Sequence, residues 1–305
     1  MKTIGIVGGT GFVGKYVSRL LAEKGYDIII FTRDTNKKAP TAQVSYAQWD
    51  ATKGICDMDA IGKLDGVVHL AGAGVADKRW TAERKKEILD SRVKSTNLLI
   101  ESLKTDGKRC KAFVAASAIG IYGADDSRHT PFTEETRPAD GFLGETCRIW
   151  EEASQQAASI MRTVVLRIGI VLGKEGGAFP QFATPMNMGV VPILGGGEQV
   201  VSWIEVEDLA RLIVFALEHE HLSGVYNAVA PKPETHKDLM KTIAKIKGGL
   251  KIPVPVPAFV IKMMLGEFSI EILKSTTVSA QKTLISGFKF NYPELDGAAR
   301  RVLER

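Results

Sequence analysis

The chain has 305 residues, 45% of them hydrophobic and 25% charged, a balance that builds a core large enough for two lobes and excludes a disordered chain. Its formal charge of +5 and pI near 9.0 come from scattered Lys and Arg residues, and without a basic run or an aromatic-interleaved basic patch nucleic acid is not expected as a partner. Three cysteines, Cys56, Cys110 and Cys147, are odd in number and lack metal-ligand spacing, so neither a disulfide framework nor a metal site is expected.

The first predicted element is a strand, Ile4-Gly5-Ile6-Val7, which runs into Gly8-Gly9-Thr10-Gly11-Phe12-Val13-Gly14 and then into the apolar-periodic Val17, Leu20 and Leu21. Strand, tight turn and helix in that order read as a dinucleotide-binding loop. Side chains here would block both positive φ and the close approach of backbone to a pyrophosphate held at the helix N-terminus. Gly8, Thr10, Gly11, Phe12, Val13 and Gly14 are therefore candidate cofactor-binding residues. A second strand over 27–31 ends in Thr32-Arg33, where NAD-preferring loops place a carboxylate for the ribose hydroxyls. The planar fork of Arg33 suits a 2′-phosphate, so NADP(H) is expected ahead of NAD(H). Asp34 keeps NAD(H) open, and the alternative for Arg33 is a solvated strand end, with Lys37 and Lys38 as surface charges.

Further on, strands over 66–70, 112–115 and 164–168 alternate with helices over 81–103 and 142–158, which predicts an α/β doubly wound parallel sheet covered by helices on both faces. Asp50, after Trp49 at the end of a third-strand region, is placed to accept from the adenine amino group or simply to cap a loop. Ligands of such sheets bind beyond the carboxyl ends of the strands, which gathers the loop at Gly8, Arg33, the Leu70-Ala71-Gly72-Ala73 segment and Ser117. After about residue 172, Gly and Pro punctuation marks a smaller second lobe, up to a helix over 206–218; Pro253, Pro255 and Pro257 and a terminal helix over 295–303 follow. The expected division is 1–172 for the Rossmann domain and 173–305 mainly for a substrate lobe, with about 200–228 returning to the sheet. The N-terminus carries no signal-peptide pattern, and residues 254–265 are too short and Pro-broken to span a bilayer. The expectation is a cytoplasmic monomer or homodimer with no membrane partner.

Taken together these pieces resemble the extended short-chain dehydrogenase/reductase family, whose members include nucleotide-sugar epimerases and dehydratases. The resemblance rests on the Gly8–Gly14 loop, on Val67-Val68-His69-Leu70-Ala71-Gly72, on Ser117-Ala118-Ile119-Gly120-Ile121-Tyr122-Gly123 and on Trp203-Ile204-Glu205-Val206-Glu207-Asp208. The family implies a Tyr and a Lys one helical turn apart, the Lys lowering the phenol pKa and holding the ribose. None of the six tyrosines here has a Lys four residues on. The slot holds Phe142-Leu143-Gly144-Glu145-Thr146-Cys147, with Gly141 or Phe142 standing for Tyr and Glu145 or Thr146 for Lys. That replacement, with Arg167–Gly173 and the segment Gly287-Phe288-Lys289-Phe290-Asn291-Tyr292-Pro293, resembles an atypical subgroup of epimerase family proteins.

Three residues are candidates for chemistry. Ser117 is placed to hydrogen-bond a substrate carbonyl or alcohol, or merely to cap a strand. Tyr122 is a proton donor or a packed aromatic. Glu145, if desolvated beside a cofactor, would have its pKa raised towards neutrality and serve as acid or base. Cys147 and Trp150 share a helix face and read as packing against the sheet, and His69 as a core imidazole. Two functions stay open: an NADP(H)-dependent oxidoreductase or epimerase acting on a polar, sugar-like small molecule, with Gly195–Gln199 as a closing loop, or a cofactor-binding sensor or scaffold without turnover.

Overall fold

The computed structural model describes residues 2–35, 40–126 and 130–304. Lys37 and Lys38 lie outside the described residues. The first half alternates strands β1 (Thr3–Val7), β2 (Asp27–Thr32), β3 (Val44–Asp50), β4 (Ile55–Cys56), β5 (Gly66–His69), β6 (Ala112–Ala118) and β7 (Arg162–Ile168) with helices α1 (Phe12–Glu23), α2 (Met58–Ile61), α3 (Ala82–Asp106) and α4 (Phe142–Gln155). The second half holds strands β8 (Ile170–Gly173), β9 (Gly176–Gly177), β10 (Val190–Leu194), β11 (Val200–Val201), β12 (Trp203–Glu205), β13 (Gly224–Ala228), β14 (Glu234–Thr235) and β15 (Ile252–Val256). Its helices are α5 (Phe179–Met186), α6 (Val206–Glu218), α7 (His236–Lys247), α8 (Ala258–Leu265), α9 (Ser269–Leu273), α10 (Gln281–Ile285) and α11 (Leu295–Glu304).

One eight-stranded sheet runs in the order β13-β7-β6-β5-β1-β2-β3-β4, parallel except for the terminal β4. The strands are continuous Val, Ile and Ala runs because both faces are covered. On one face α1 and α6 pack Val17, Leu21, Leu209, Leu212 and Ile213 against Ile4, Ile6, Ile28 and Val164; on the other Leu99, Ile100 and Leu103 of α3 cover Val67, Phe113 and Val165. The order reverses between β1 and β5, which opens the crevice where doubly wound sheets hold ligands. β6 runs to Ala118, longer than the predicted 112–115, because the small residues Ala116 and Ser117 continue in register with Leu166 and Arg167. The helix predicted over 142–158 stops at Gln155 and tightens into a 3₁₀ turn over Gln156–Ser159.

The second lobe assembles three small sheets, β12-β8-β9, β10-β15 and β11-β14, around a core of Leu172, Phe179, Trp203, Leu239, Ile243 and Ala298. A fourth cluster, Ile121, Tyr122, Cys147, Val229, Val278 and Ala280, joins the lobes beneath the carboxyl ends of β6 and β13.

Candidate functional site

The loop after β1 has the geometry of a phosphate cradle. Gly8 sits at φ +89°, and a Cβ there would lie 2.9 Å from the backbone nitrogen of Ala71, so the loop after β5 packs directly on it. A Cβ on Gly14 would fall 2.6 Å from the Cα of Gly9, which fixes glycine where α1 passes under the turn. Gly11 is the N-cap of α1, with no side-chain cap and no acidic residue in the first turn, which leaves the positive dipole end of the helix without a side-chain partner. Thr10 and Gly11 are exposed and Val13 half-buried, while Phe12 packs beneath Gly173 and Gly176 of the β8–β9 hairpin. Arg33 is exposed at the end of β2 next to half-buried Thr32, and its carbonyl accepts from Gln48 Nε2 at 3.1 Å. Asp50 caps the following turn: its Oδ1 accepts from the backbone N and hydroxyl of Thr52 at 3.0 and 2.6 Å, which holds its carboxyl below the usual range.

The Leu70–Ala73 segment forms the other wall. Leu70 donates its N–H to Val7, and Ala73 accepts from Arg92 Nη1 at 2.9 Å while donating to Ser91. Arg92, from α3, was invisible to sequence reasoning. Its guanidinium lies 5.0 Å from the Trp150 ring and its hydrogen bonds go to the carbonyls of Ala73 and Ile88; burial lowers its pKa. His69, behind it, pairs with Ser95 at 2.8 Å and is pushed down to about 4 by burial, a neutral core imidazole.

The structure places the three candidates for chemistry in different surroundings. Ser117 is 2% exposed and donates to Glu151 Oε1 at 2.6 Å, so its proton points into the protein and not at a ligand. Tyr122 is fully buried, stacked on Phe132 at 5.1 Å; its hydroxyl donates to Asn227 Oδ1 at 2.7 Å and accepts from Arg167 Nη1 at 2.8 Å. Burial outweighs the nearby guanidinium and pushes the phenol up to about 12. Glu145 is on the solvent face of α4, bonded to Arg148 Nε and Nη2 at 3.0 and 2.6 Å, and that pairing lowers its pKa, so the desolvation that would raise it is not present here.

The residue that faces inward from α4 is Glu151. Its carboxylate takes a two-pronged contact from Arg167, Nε to Oε1 and Nη2 to Oε2, both at 2.8 Å, in addition to the Ser117 hydroxyl. Arg167 Nη1 also donates to the Glu134 carbonyl, and Asn227 links onward to Glu134 Oε1 and the Ser279 carbonyl. This buried network fills the space under β6, β7 and β13. The signal that finds Glu151 is helical spacing: it follows Cys147 by four residues, so it shares the sheet-facing side read from Cys147 and Trp150. The Cys147 thiol, pushed up to about 12 by burial, is not a nucleophile.

Above the network, Lys274 Nζ donates to the Tyr122 carbonyl at 2.9 Å and pairs with Glu271 at 2.8 Å. It lines a cleft of about 560 Å³ with Gly195–Gln199 on one side and Lys262, Ile270 and Leu273 on the other. The α8–α9 segment is anchored to the first lobe by Trp80, whose ring sits between Phe142 and Phe268 at 4.8 and 5.3 Å, and by the Lys85–Glu267 ion pair. Among the described residues no cluster of His, Cys, Asp or Glu is placed to hold a metal ion, and no helix is long and apolar enough to cross a membrane.

Comparison with known proteins agrees with this architecture. The sequence model of a domain of unknown function, DUF1731, matches residues 256–302. The chain is 34% identical to the epimerase family protein YfhF of Bacillus subtilis over 98% of its length and 97% of that protein's. It is 30% identical to the human epimerase family protein SDR39U1, covering 97% of this chain and 98% of that one. A crystal structure of human SDR39U1 (isoform 2) with NADPH superposes with a TM-score of 0.87 over 99% of both chains at 29% identity. With the family model matching residues 4–228, the chain belongs to the NAD dependent epimerase/dehydratase family, among the proteins called epimerase family proteins.

Proposed function

We propose that this protein is an NADP(H)-dependent oxidoreductase or epimerase that acts on a polar small molecule through a site built without a Tyr/Lys dyad. The observation that carries the reading is the nucleotide cradle: Gly8 at positive φ against Ala71, Gly14 under Gly9, and the uncapped N-terminus of α1. That helix end fits a pyrophosphate, and a Cβ at Gly8 or Gly14 would fill the space it needs. Gly8, Thr10, Gly11, Phe12, Val13 and Gly14 would hold the pyrophosphate, Thr32 and Arg33 the ribose 2′-phosphate, and Leu70, Ala71, Gly72 and Ala73 the far half of the dinucleotide. The likeness to SDR39U1, whose crystal structure holds NADPH, supports the choice of NADP(H). When bound, the nicotinamide would supply or accept hydride.

The chain's own residues do the rest. Arg92, whose guanidinium bonds the carbonyls of Ala73 and Ile88, would supply the fixed positive charge that the absent Lys brings to the nicotinamide ribose. Ser117, Glu151, Arg167 and Tyr122 hold the floor rigid, and the cleft under Gly195–Gln199 receives the substrate. The Tyr122 and Ser117 hydroxyls are already committed to Asn227 and Glu151, so this reading assigns the exchanged proton to neither.

The test is to load the protein with NADPH deuterated at the transferable position, add a metabolite extract and search products for deuterium by mass spectrometry. A labelled product supports the oxidoreductase; no label with binding confirmed removes it and leaves an internal-return epimerase or the sensor. In parallel, Arg33→Glu is expected to weaken NADPH binding far more than NADH binding, and equal loss of both removes Arg33 from the 2′-phosphate. A sensor or scaffold without turnover is the second reading, favoured by one observation: Ser117 and Tyr122 both direct their protons into the protein.

A further inference from the structure

The second lobe carries an apolar face that none of the described residues covers. In the β10–β15 ribbon, Val191 and Ile193 point into the core, so by strand alternation Val190, Pro192 and Leu194, beside Ile252, Val254 and Val256, form the outer row. Ile252 is 57% exposed and Val254 39%. At one end the Met188–Gly189 turn packs on Leu250, with Met188 and Leu250 about four-fifths exposed. At the other end α8 follows Pro257 and exposes Phe259, Met263 and Met264, each about two-thirds, while only Ile261 of that helix is buried. Soluble monomers rarely leave so many large apolar side chains together in water.

Composition and charge say what covers this face. From residue 248 to 266 the only polar side chains are Lys251 and Lys262. From 239 to 266 there are five lysines, Lys241, Lys245, Lys247, Lys251 and Lys262, and no Asp or Glu. A second copy of the chain would oppose lysine to lysine. A protein partner needs roughly one hydrogen bond per 100–200 Å² of interface, yet the face offers only lysine side chains, and Pro253, Pro255 and Pro257 have no N–H. An anionic lipid surface asks for less: apolar side chains that enter the headgroup boundary and cations that stay at its level.

We propose that this protein docks on anionic bilayers through Met188, Leu250, Ile252, Val254, Phe259, Met263 and Met264, with Lys247 and Lys251 against lipid phosphates. Lying on a membrane is a different demand from crossing one, and the proposal replaces the expectation, drawn from the lack of a spanning segment, that no membrane is a partner. The test is flotation of the full chain with phosphatidylcholine vesicles with and without phosphatidylglycerol. The protein is expected to float with the anionic vesicles only and to be released by salt. Phe259→Glu/Met263→Glu should lower the bound fraction roughly tenfold or more at an unchanged melting temperature, and Lys247→Gln/Lys251→Gln should weaken binding and its salt dependence together. Three results overturn the proposal: no flotation with anionic vesicles, flotation that the Glu variant leaves intact, or a wild-type dimer in solution that the same variant splits, which would give the face to a second copy.

Discussion

Glu205 closes β12 and caps α6, its Oε2 accepting from the backbone N–H groups of Glu207 at 2.5 Å and Asp208 at 3.1 Å. It is 2% exposed, and burial, reinforced by Glu207 and Asp208, raises its pKa from 4.5 to about 7 against the pull of those N–H groups. The folded chain therefore holds this proton more tightly than the unfolded chain, and stability contributed by the protonated form is lost as pH rises from 4.5 through about 7. At roughly 1.36 kcal/mol per pH unit the loss is on the order of 3 kcal/mol above pH 7. Glu205→Gln keeps an oxygen to accept from the same N–H groups and removes the titration. With an unfolding entropy of roughly 2.1 cal/mol/K per residue over 305 residues, the variant should melt about 5 °C above wild type near pH 8 and at nearly the same temperature near pH 4.5. Differential scanning calorimetry at the two pH values reads this directly. An equal shift at both, or a less stable variant near pH 8, refutes the argument that burial and not capping dominates this carboxyl.

Two further outcomes follow from the site. Glu151→Gln removes the partner of buried Arg167 and should cost about 3–5 kcal/mol in denaturant unfolding, because the guanidinium stays desolvated; a loss below about 1 kcal/mol would mean that water reaches it. Gly14→Val should abolish NADPH binding measured by fluorescence titration while Gly11→Val weakens it less, since a Cβ at Gly11 meets only the Gly8 carbonyl at 3.2 Å; the reverse order would move the tight point of the loop.

The alternation of strands and helices was legible because each element repeats its own apolar period, and the loop at Gly8 because a phosphate cradle is a local event in the chain. Helix α6 was read to the residue, over 206–218, where its apolar stripe is continuous. The chemistry was not legible, for a geometric reason. Glu145 and Glu151 stand on one helix six residues apart, on different faces, and only the phase of that helix decides which one meets Arg167. Whether Tyr122 is a proton donor or a packed aromatic stays open in the sequence because what saturates its hydroxyl, Arg167 and Asn227, lies 45 and 105 residues away. Arg92 gave no signal at all, since its surroundings come from three separate segments, Ala73, Ile88 and Trp150.

The fastening of Tyr122, Asp125 and Phe132 to residues 274–279 has a consequence for the order in which a ribosome delivers this protein. Asp125 bonds both the N–H and the hydroxyl of Thr277, Phe132 pairs with Thr277 and Ser279, and Lys274 reaches back to the Tyr122 carbonyl across 152 positions. At roughly 5–20 residues per second, those partners emerge on the order of ten seconds after the segment they fasten. The nucleotide cradle and the central strands are synthesised early, whereas the floor beneath the cleft closes only when residues 274–279 leave the exit tunnel. A nascent chain can thus own a finished cradle for many seconds before it owns a site.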